Sequence, residues 1–425
     1  VRPRTWVLVL AAAFAVLQLA NVTGRDTPDT KNYLSYALRL RGDDLRTATA
    51  ATVDYVCAGA GSIAHRNQLV DVVRFHAPDP APRVSAECRA DQWGSVERRL
   101  ETGDTGGYTV PFSSPRFQRI FEARPGYPLF LVPFLTLFGV TWGLWVAGVV
   151  VTVAGGVLTY LILRALNLPV PLALTGQALF CLLPCGTTAM RPMSEGLLLT
   201  LTLAALWGCA LVLRGTRTRA GCALVAGALP ALFAVKHSQS LFLGLCLAAA
   251  GTTVAVARRR RGRGPGRGVL AVAGIGLGAA LGTLLLARLL GYPSESESLQ
   301  DLLTGHFGRP DRPRPWAEFL HLQLNFWVEW LRRQAWEPVF VATLAAGAWG
   351  AVRRPAFGAF LLAGAFTGVL TQAAHPDIGI WGDRLIVLAW LLPVIGVPLL
   401  LEPMVRTRVR VPEQGHGERA AHSMR

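Results

Sequence analysis

The chain has 425 residues, of which 52% are hydrophobic and only 16% charged, and its mean hydropathy is +0.38. That balance excludes a water-soluble globular architecture, and the long apolar runs exclude intrinsic disorder, which needs low hydrophobicity. A net charge of +16 suggests nucleic acid, but the basic residues stand in clusters between apolar runs, where membrane topology explains them better than a folded basic face.

In chain order, Arg2 and Arg4 precede an apolar run from Trp6 to Ala20. It reads as a first membrane helix in preference to a signal peptide, because no small-x-small cleavage site follows. Residues 21–123 hold 13 of the 26 acidic residues and are too long for a simple loop, so they read as a small helical extracytoplasmic subdomain. Cys57 and Cys88 lie in this one long polar segment and form the natural disulfide pair of an oxidising compartment, whereas Cys181, Cys185, Cys209, Cys222 and Cys246 sit in or beside apolar stretches. Residues 124–140 are apolar but contain Pro125, Pro128 and Pro133, which favours an interfacial or re-entrant helix over a crossing.

Further spans are expected at about 143–163, 169–185, 196–213, 222–236, 240–257, 269–290, 337–352, 355–372 and 384–401, by the length that crosses a bilayer. With the first, these make about ten. The breaks carry Arg164, then Arg214, Arg217 and Arg219, then Arg258 to Arg261 with Arg263 and Arg267, then Arg353 and Arg354, then Arg406, Arg408 and Arg410. Ten crossings from an inside N-terminus put every cluster inside and the acidic segment outside, as the positive-inside rule requires. The expected fold is therefore an all-α polytopic membrane protein, N-in and C-in, with a helical extracytoplasmic first loop. Its parts are a first helix (1–20), the extracytoplasmic loop with its interfacial or re-entrant helix (21–142), transmembrane helices 2–7 (143–290), an amphipathic extracytoplasmic segment rich in Trp (291–336), helices 8–10 (337–401) and a cytoplasmic tail (402–425).

Charged residues at the outer ends of the spans carry the chemistry. Glu195 is the one acidic residue between Glu122 and Glu295; a carboxylate there is costly unless it meets protein, water or a cation. It reads either as part of a helix cap with Ser194 or as a functional group partnered by Arg191. Forty of the 42 basic residues are Arg, which sets Lys236 apart: with His237 it reads as a snorkelling lysine or a ligand for lipid phosphate at headgroup depth. In the last outer loop, His375, Asp377, Asp383 and Arg384 precede the final span. Asp383 and Arg384 either pair with each other, or Arg384 forms a second phosphate clamp. Asp29 precedes an amphipathic helix and reads as its cap or as the general base of an outward-facing site.

These features occur in a telling order. One span is followed by an aspartate leading into a Y-x-x-x-A-x-x-L helix (Tyr33, Ala37, Leu40) with Gly42 after it, then R-P-G-Y-P-L at Arg124 to Leu129, then an acidic residue behind R-P-M-S, then a basic residue closing the fifth span. Over about the first 240 residues the chain resembles the GT-C superfamily, the polytopic glycosyltransferases that use lipid-phosphate-linked sugars, including the protein mannosyltransferase and aminoarabinose transferase branches. The resemblance implies that Asp29 is the catalytic carboxylate, with Asp26 the second candidate, and that Glu195 and Lys236 match the family's second acidic residue and its basic residue. The expected activity is transfer of a sugar from a polyprenyl phosphate to an extracytoplasmic acceptor at a bacterial-type plasma membrane, and a single displacement by an activated hydroxyl predicts inversion at the anomeric carbon. Lys236, Arg384 and Arg191 would hold the donor phosphate, and Glu195, Asp26, Arg124 and His237 would position the acceptor or a cation. The expected partners are the polyprenyl-phosphate sugar and membrane lipid, with no nucleic acid. No Cys or His spacing suggests a zinc or iron site; a divalent cation near Glu195 is the one cofactor left open. The rival classes are a transporter or flippase and a non-catalytic protein of envelope assembly.

Overall fold

The computed structural model describes residues 2–101, 107–109, 112–379 and 384–409. Asp383, the side chains of the last arginine cluster (Arg406, Arg408, Arg410) and the tail after it lie outside the described residues and side chains. Among the described residues every regular element is a helix.

α1 (Pro3–Gln18) starts on a proline at its first position, where the missing N–H costs nothing, and runs into a 3-10 turn over Leu19–Asn21. α2 (Thr30–Arg41) ends at Gly42, whose φ of 107° is open to glycine at little cost. α3 (Leu45–Leu69) is capped by Asp44, which accepts from the Thr47 N–H at 3.0 Å. It forms a hairpin with α4 (Ala81–Glu101), and a disulfide joins Cys57 to Cys88 across it with Cα atoms 5.5 Å apart. The short α5 (Pro115–Glu122) is capped by Ser114. The long polar segment is thus helical throughout its described elements.

α6 (Gly126–Ala165) is two helices joined at Gly139, whose φ of 69° and ψ of −178° are not helical. Residues nine apart in a continuous helix are separated by about 13 Å, yet a Cβ on Gly143 would lie 2.7 Å from the Phe134 carbonyl oxygen. The chain therefore reverses at Gly139, and the Pro-containing first arm folds back on the second. The apolar helix begins at Gly126 and not near residue 143, because the prolines sit where their rings are tolerated, Pro125 at the N-cap and Pro128 in the first turn, while Pro133 lies inside the arm.

The bundle continues through α7 (Val170–Leu182), α8 (Pro184–Ala189), α9 (Ser194–Arg214), α10 (Thr218–Val235), α11 (His237–Arg260) and α12 (Arg267–Leu289). After α13 (Glu295–Thr304) come α14 (Pro315–Trp336) and α15 (Val339–Val352), bent 89° to one another, then α16 (Pro355–Ala374), a 3-10 turn at Val387–Trp390 and α17 (Leu391–Val409). Small residues bring the backbones together: Gly208 faces Gly221 across α9 and α10, Gly244 faces Gly276 across α11 and α12, and Gly350 faces Gly396 across α15 and α17. Such contacts are how helices associate where lipid removes the hydrophobic drive between them.

Among the described residues, eight helices are long and apolar enough to cross a membrane, or nine if α14 and α15 count as one bent span. Two of the ten expected spans fall short. α7, expected over 169–185, has 13 residues because the chain leaves the helix at Leu183, before Pro184; α15 has 14. At 1.5 Å per residue each reaches only about 20 Å. The last span begins with the 3-10 turn at Val387, a few residues later than the sequence suggests.

Candidate functional site

The site forms where the start of α2, the start of α9, the joint between α10 and α11, and the residues entering the 3-10 turn at Val387 meet. Asp29 occupies the N-cap position of α2, but its carboxylate makes no cap bond. Thr30 supplies the local turn instead, its Oγ1 accepting from the Thr27 N–H at 2.8 Å and donating to the Pro192 carbonyl at 3.2 Å, which ties α2 to the turn before α9. Released from capping, the Asp29 carboxylate accepts a hydrogen bond from the Arg384 guanidinium, 355 residues away in sequence.

The same guanidinium reaches Glu195, with Arg384 Nε 3.6 Å from Oε1. Glu195 is only 4% exposed. Met193, not Ser194, is the N-cap of α9, and no side chain caps it; Ser194 instead donates to Glu195 Oε2 at 3.2 Å and lies 3.3 Å from the Tyr33 hydroxyl, which can donate to it. Tyr33, one turn after Asp29 on α2, is fixed edge-on between Phe121 and Tyr127, each with ring centroids 5.2 Å away. Asp29, Arg384, Glu195, Ser194 and Tyr33 thus form one connected polar group built from three distant parts of the chain.

Lys236 breaks the α10–α11 helix pair with an extended backbone, φ −163° and ψ 98°. That break brings its side chain to a small cavity it shares with Glu195, Gln239 and Thr371, large enough for about one water molecule. Thr371 donates to Gln239 Oε1 at 2.9 Å, which leaves Gln239 Nε2 without an acceptor in a side chain 1% exposed. Two more buried donors here lack a hydrogen-bond partner: Arg384 Nε and Arg124 Nε. Arg124 belongs because Gly126 packs directly on the Ala234–Val235 backbone, where a Cβ would be 2.7 Å from the Ala234 carbonyl carbon. A centre with two carboxylates, two guanidiniums, an ammonium and spare N–H donors suits an anion held beside a carboxylate.

Burial and the nearby Glu195 charge hold the Asp29 carboxyl above its ordinary range, with Arg384, Arg124 and Lys236 opposing the shift. His375, in the turn after α16, is lowered to about 4, chiefly by burial and then by Lys236, and is therefore neutral near pH 7. Arg384 pairs with Asp29 and Glu195; its sequence neighbour Asp383, the other partner the sequence offers, lies outside the described residues.

Not every candidate converges. Asp26 turns towards α3, its Oδ1 lying 2.9 Å from where a Cβ on Gly59 would be, and its carboxyl is raised by burial. His237 lies one residue beyond Lys236 and packs against Phe233 and Tyr292, with its Nδ1 unpartnered. Arg191 sits in the turn before α9, where its carbonyl accepts from the Met193 N–H at 2.7 Å, and Glu195 has Arg384 as an ion partner. Among the described residues no group of three or more His, Cys, Asp or Glu side chains is arranged to hold a metal ion. Tyr33, read from the sequence only as a motif residue of α2, and Gln239 and Thr371, not singled out at all, were given no role at the site by sequence reasoning. The first two had a signal, one turn past Asp29 and three residues past Lys236; Thr371, inside an apolar span, had none.

The two long connections meet near this group, where His306 packs 4.4 Å from the Phe117 ring and lies within electrostatic reach of Asp29 and Arg384. Arg116 of α5 pairs with Asp311 at 2.7 Å and with Glu297 at 3.7 Å, and stacks 4.3 Å from the Phe307 ring. Comparison with known proteins adds no kinship: no family model, no curated protein and no solved structure matches this chain.

Proposed function

We propose that this protein is a membrane glycosyltransferase that moves a sugar from a polyprenyl-phosphate donor to a hydroxyl acceptor, with inversion at the anomeric carbon. The observation that carries the reading is the use of Asp29. A carboxylate serving only as a cap would bond the first N–H groups of α2; this one is turned away from them to a buried cluster of cations. Asp29 takes the proton of the acceptor hydroxyl as its oxygen bonds the anomeric carbon. The bond from that carbon to the donor phosphate oxygen breaks, and its electron pair leaves on the phosphate. Lys236, Arg124 and Arg384 surround the place where that charge develops, and low dielectric makes their stabilisation large. Glu195, through Arg384 and Ser194, orients the guanidinium and Tyr33.

The topology that goes with this reading puts the site on the extracytoplasmic face of a bacterial-type plasma membrane, opposite the arginine clusters. α1, α6, α9–α12, α16 and α17 supply the eight long spans, the first arm of α6 is re-entrant or interfacial, and α7 with α8, and α15 with its bent partner α14, complete the count of ten. The decisive experiment is a turnover assay with polyprenyl-phosphate sugars in membranes. The Asp29→Asn protein is expected to insert normally and to turn over about a hundredfold more slowly or worse, the usual contribution of a general base. Undiminished turnover by that variant would overturn the proposal.

A further inference from the structure

The hairpin of α3 and α4 ends in a tip that nothing in the fold covers. Its sequence from Leu69 to Phe75 is LVDVVRF, and the exposures are 57% for Leu69, 79% for Val70, 90% for Val72, 76% for Val73 and 59% for Phe75. The tip is an ordered turn: Asp71 Oδ1 accepts from the Val73 and Arg74 N–H groups at 2.9 and 3.0 Å, and Gln68 Nε2 donates to the Arg74 and Pro78 carbonyls at 3.2 and 3.1 Å. With those polar groups satisfied inside the turn, five large apolar side chains point outward. In water such a patch is a liability, and patches of this kind mark protein or membrane contacts.

The path of α3 says which. Tyr55 lies over a hollow shared with Val22, Leu144, Trp145 and Pro192, and Gly59 touches Gly24. About two turns later, Arg66 bonds the Asn21 side chain. Trp145 Nε1 meanwhile donates to the Gln18 carbonyl at 3.2 Å, so Leu144, Trp145 and residues 18–24 lie at one level. α3 therefore crosses the end of the bundle laterally and passes over the end of α1 at Arg66, three residues before the tip begins. Among the candidate spans α1 is the most open to its surroundings, only 6% of its apolar window being buried, and Val16, Leu17 and Leu19 are exposed next to that crossing.

We propose that this tip is a membrane anchor, inserted at the headgroup–acyl boundary of the leaflet that surrounds Leu17 and Leu19. Whatever borders those residues also borders the tip, and beside an apolar helix of membrane length that medium is lipid. Arg74 pairs through Nε with Asp71 at 3.1 Å, and its side chain is otherwise largely exposed, so the rest of the guanidinium is placed to reach lipid phosphate while its apolar neighbours insert. The anchor fixes the outer end of α3, whose inner half packs on the segment leading to Asp29. The inference rests on α1 being a membrane span; it does not depend on the glycosyltransferase reading, and its outcome leaves turnover untouched.

The test uses the full chain with the five described free cysteines (Cys181, Cys185, Cys209, Cys222, Cys246) replaced and the Cys57–Cys88 bridge kept. Spin labels go singly on Val72→Cys, Val73→Cys and, as control, the exposed Glu97→Cys of α4. The protein is reconstituted in nanodiscs of phosphatidylglycerol and phosphatidylethanolamine, and collision with oxygen is compared with collision with a water-soluble nickel chelate. Labels at 72 and 73 are expected to favour oxygen several-fold over the chelate, and the control to do the reverse. Labels at 72 and 73 that match the control, or that neither reagent reaches, would overturn the anchor. A retained bridge on a non-reducing gel verifies that each variant is folded, and the double variant Val72→Glu/Val73→Glu tests the sign independently, since the anchor predicts that spin labels flanking it move from oxygen-accessible to chelate-accessible.

Discussion

Asp29 and Glu195 share one guanidinium, and the consequences appear as pH dependence. Burial raises the Asp29 carboxyl and Arg384 opposes the rise. A base works deprotonated, so turnover should fall on acidification at a pH above the ordinary aspartate value of about 4. Arg384→Gln removes the opposing cation and should move that acidic limb to still higher pH; a kcat–pH profile that does not move would exclude Asp29 as the titrating group. A carboxyl whose folded pKa is raised favours the protonated native state, with stability present below the unfolded pKa and lost as pH rises through the folded one. Asp29→Asn should therefore leave the apparent Tm near pH 7 unchanged or higher while turnover collapses, a split a structural cap would not produce. Lys236→Met should raise the KM for the lipid-phosphate donor about tenfold or more, in keeping with about 1.5–3 kcal/mol for a charge-assisted hydrogen bond; an unchanged donor KM would remove Lys236 from the phosphate site.

At the scale of elements, the reversal at Gly139 is the feature on which the site leans, because the first arm of α6 begins where Gly126 presses on Val235, the residue before Lys236. Gly143→Leu has no room against the Phe134 carbonyl and should cost about 1–3 kcal/mol, the range for overpacking, read as a lower apparent Tm in detergent. Gly227→Leu on α10, where a Cβ meets nothing within 4 Å, should not. The α3–α4 hairpin makes a second case. Its bridge spans 31 residues, a loop for which chain entropy gives about 3–4 kcal/mol. Replacing both Cys57 and Cys88 by Ser should expose the hairpin to limited proteolysis and leave the bundle intact; equal protease resistance with and without the bridge would contradict this.

Across the whole molecule, the two long connections meet near the polar group through Arg116, Asp311 and Glu297. These charges are a third to a half exposed, and ion pairs of that kind contribute about 0–1 kcal/mol, so on the proposed function this contact is where a lipid-borne substrate would enter. A short bifunctional thiol reagent across Arg116→Cys and Asp311→Cys should halt turnover, and reductant should restore it if the linker is cleavable. Turnover undisturbed by complete cross-linking would mean that substrate does not enter between them.

Composition and the period of apolar runs determined, without any structure, that this is a helical chain with membrane spans, because burying apolar surface and satisfying the backbone within lipid leave few alternatives. They also singled out Asp29, Glu195, Lys236 and Arg384, since an ion beside an apolar span is expensive enough to stand out, and Cys57 with Cys88, isolated in the polar segment. Hydropathy was less informative about length: it could not show that the chain leaves the helix at Leu183 or bends between α14 and α15, because a short apolar helix and a spanning one differ by where the backbone breaks and not by residue type. The partners were decided by tertiary structure alone. Nothing local distinguishes an Asp29 that caps α2 from one that meets Arg384 across 355 residues, nor an Asp26 that faces Gly59 from one that faces Glu195. Those choices depend on where the fold-back at Gly139 and the break at Lys236 bring distant helix ends together, and only the packed bundle fixes them.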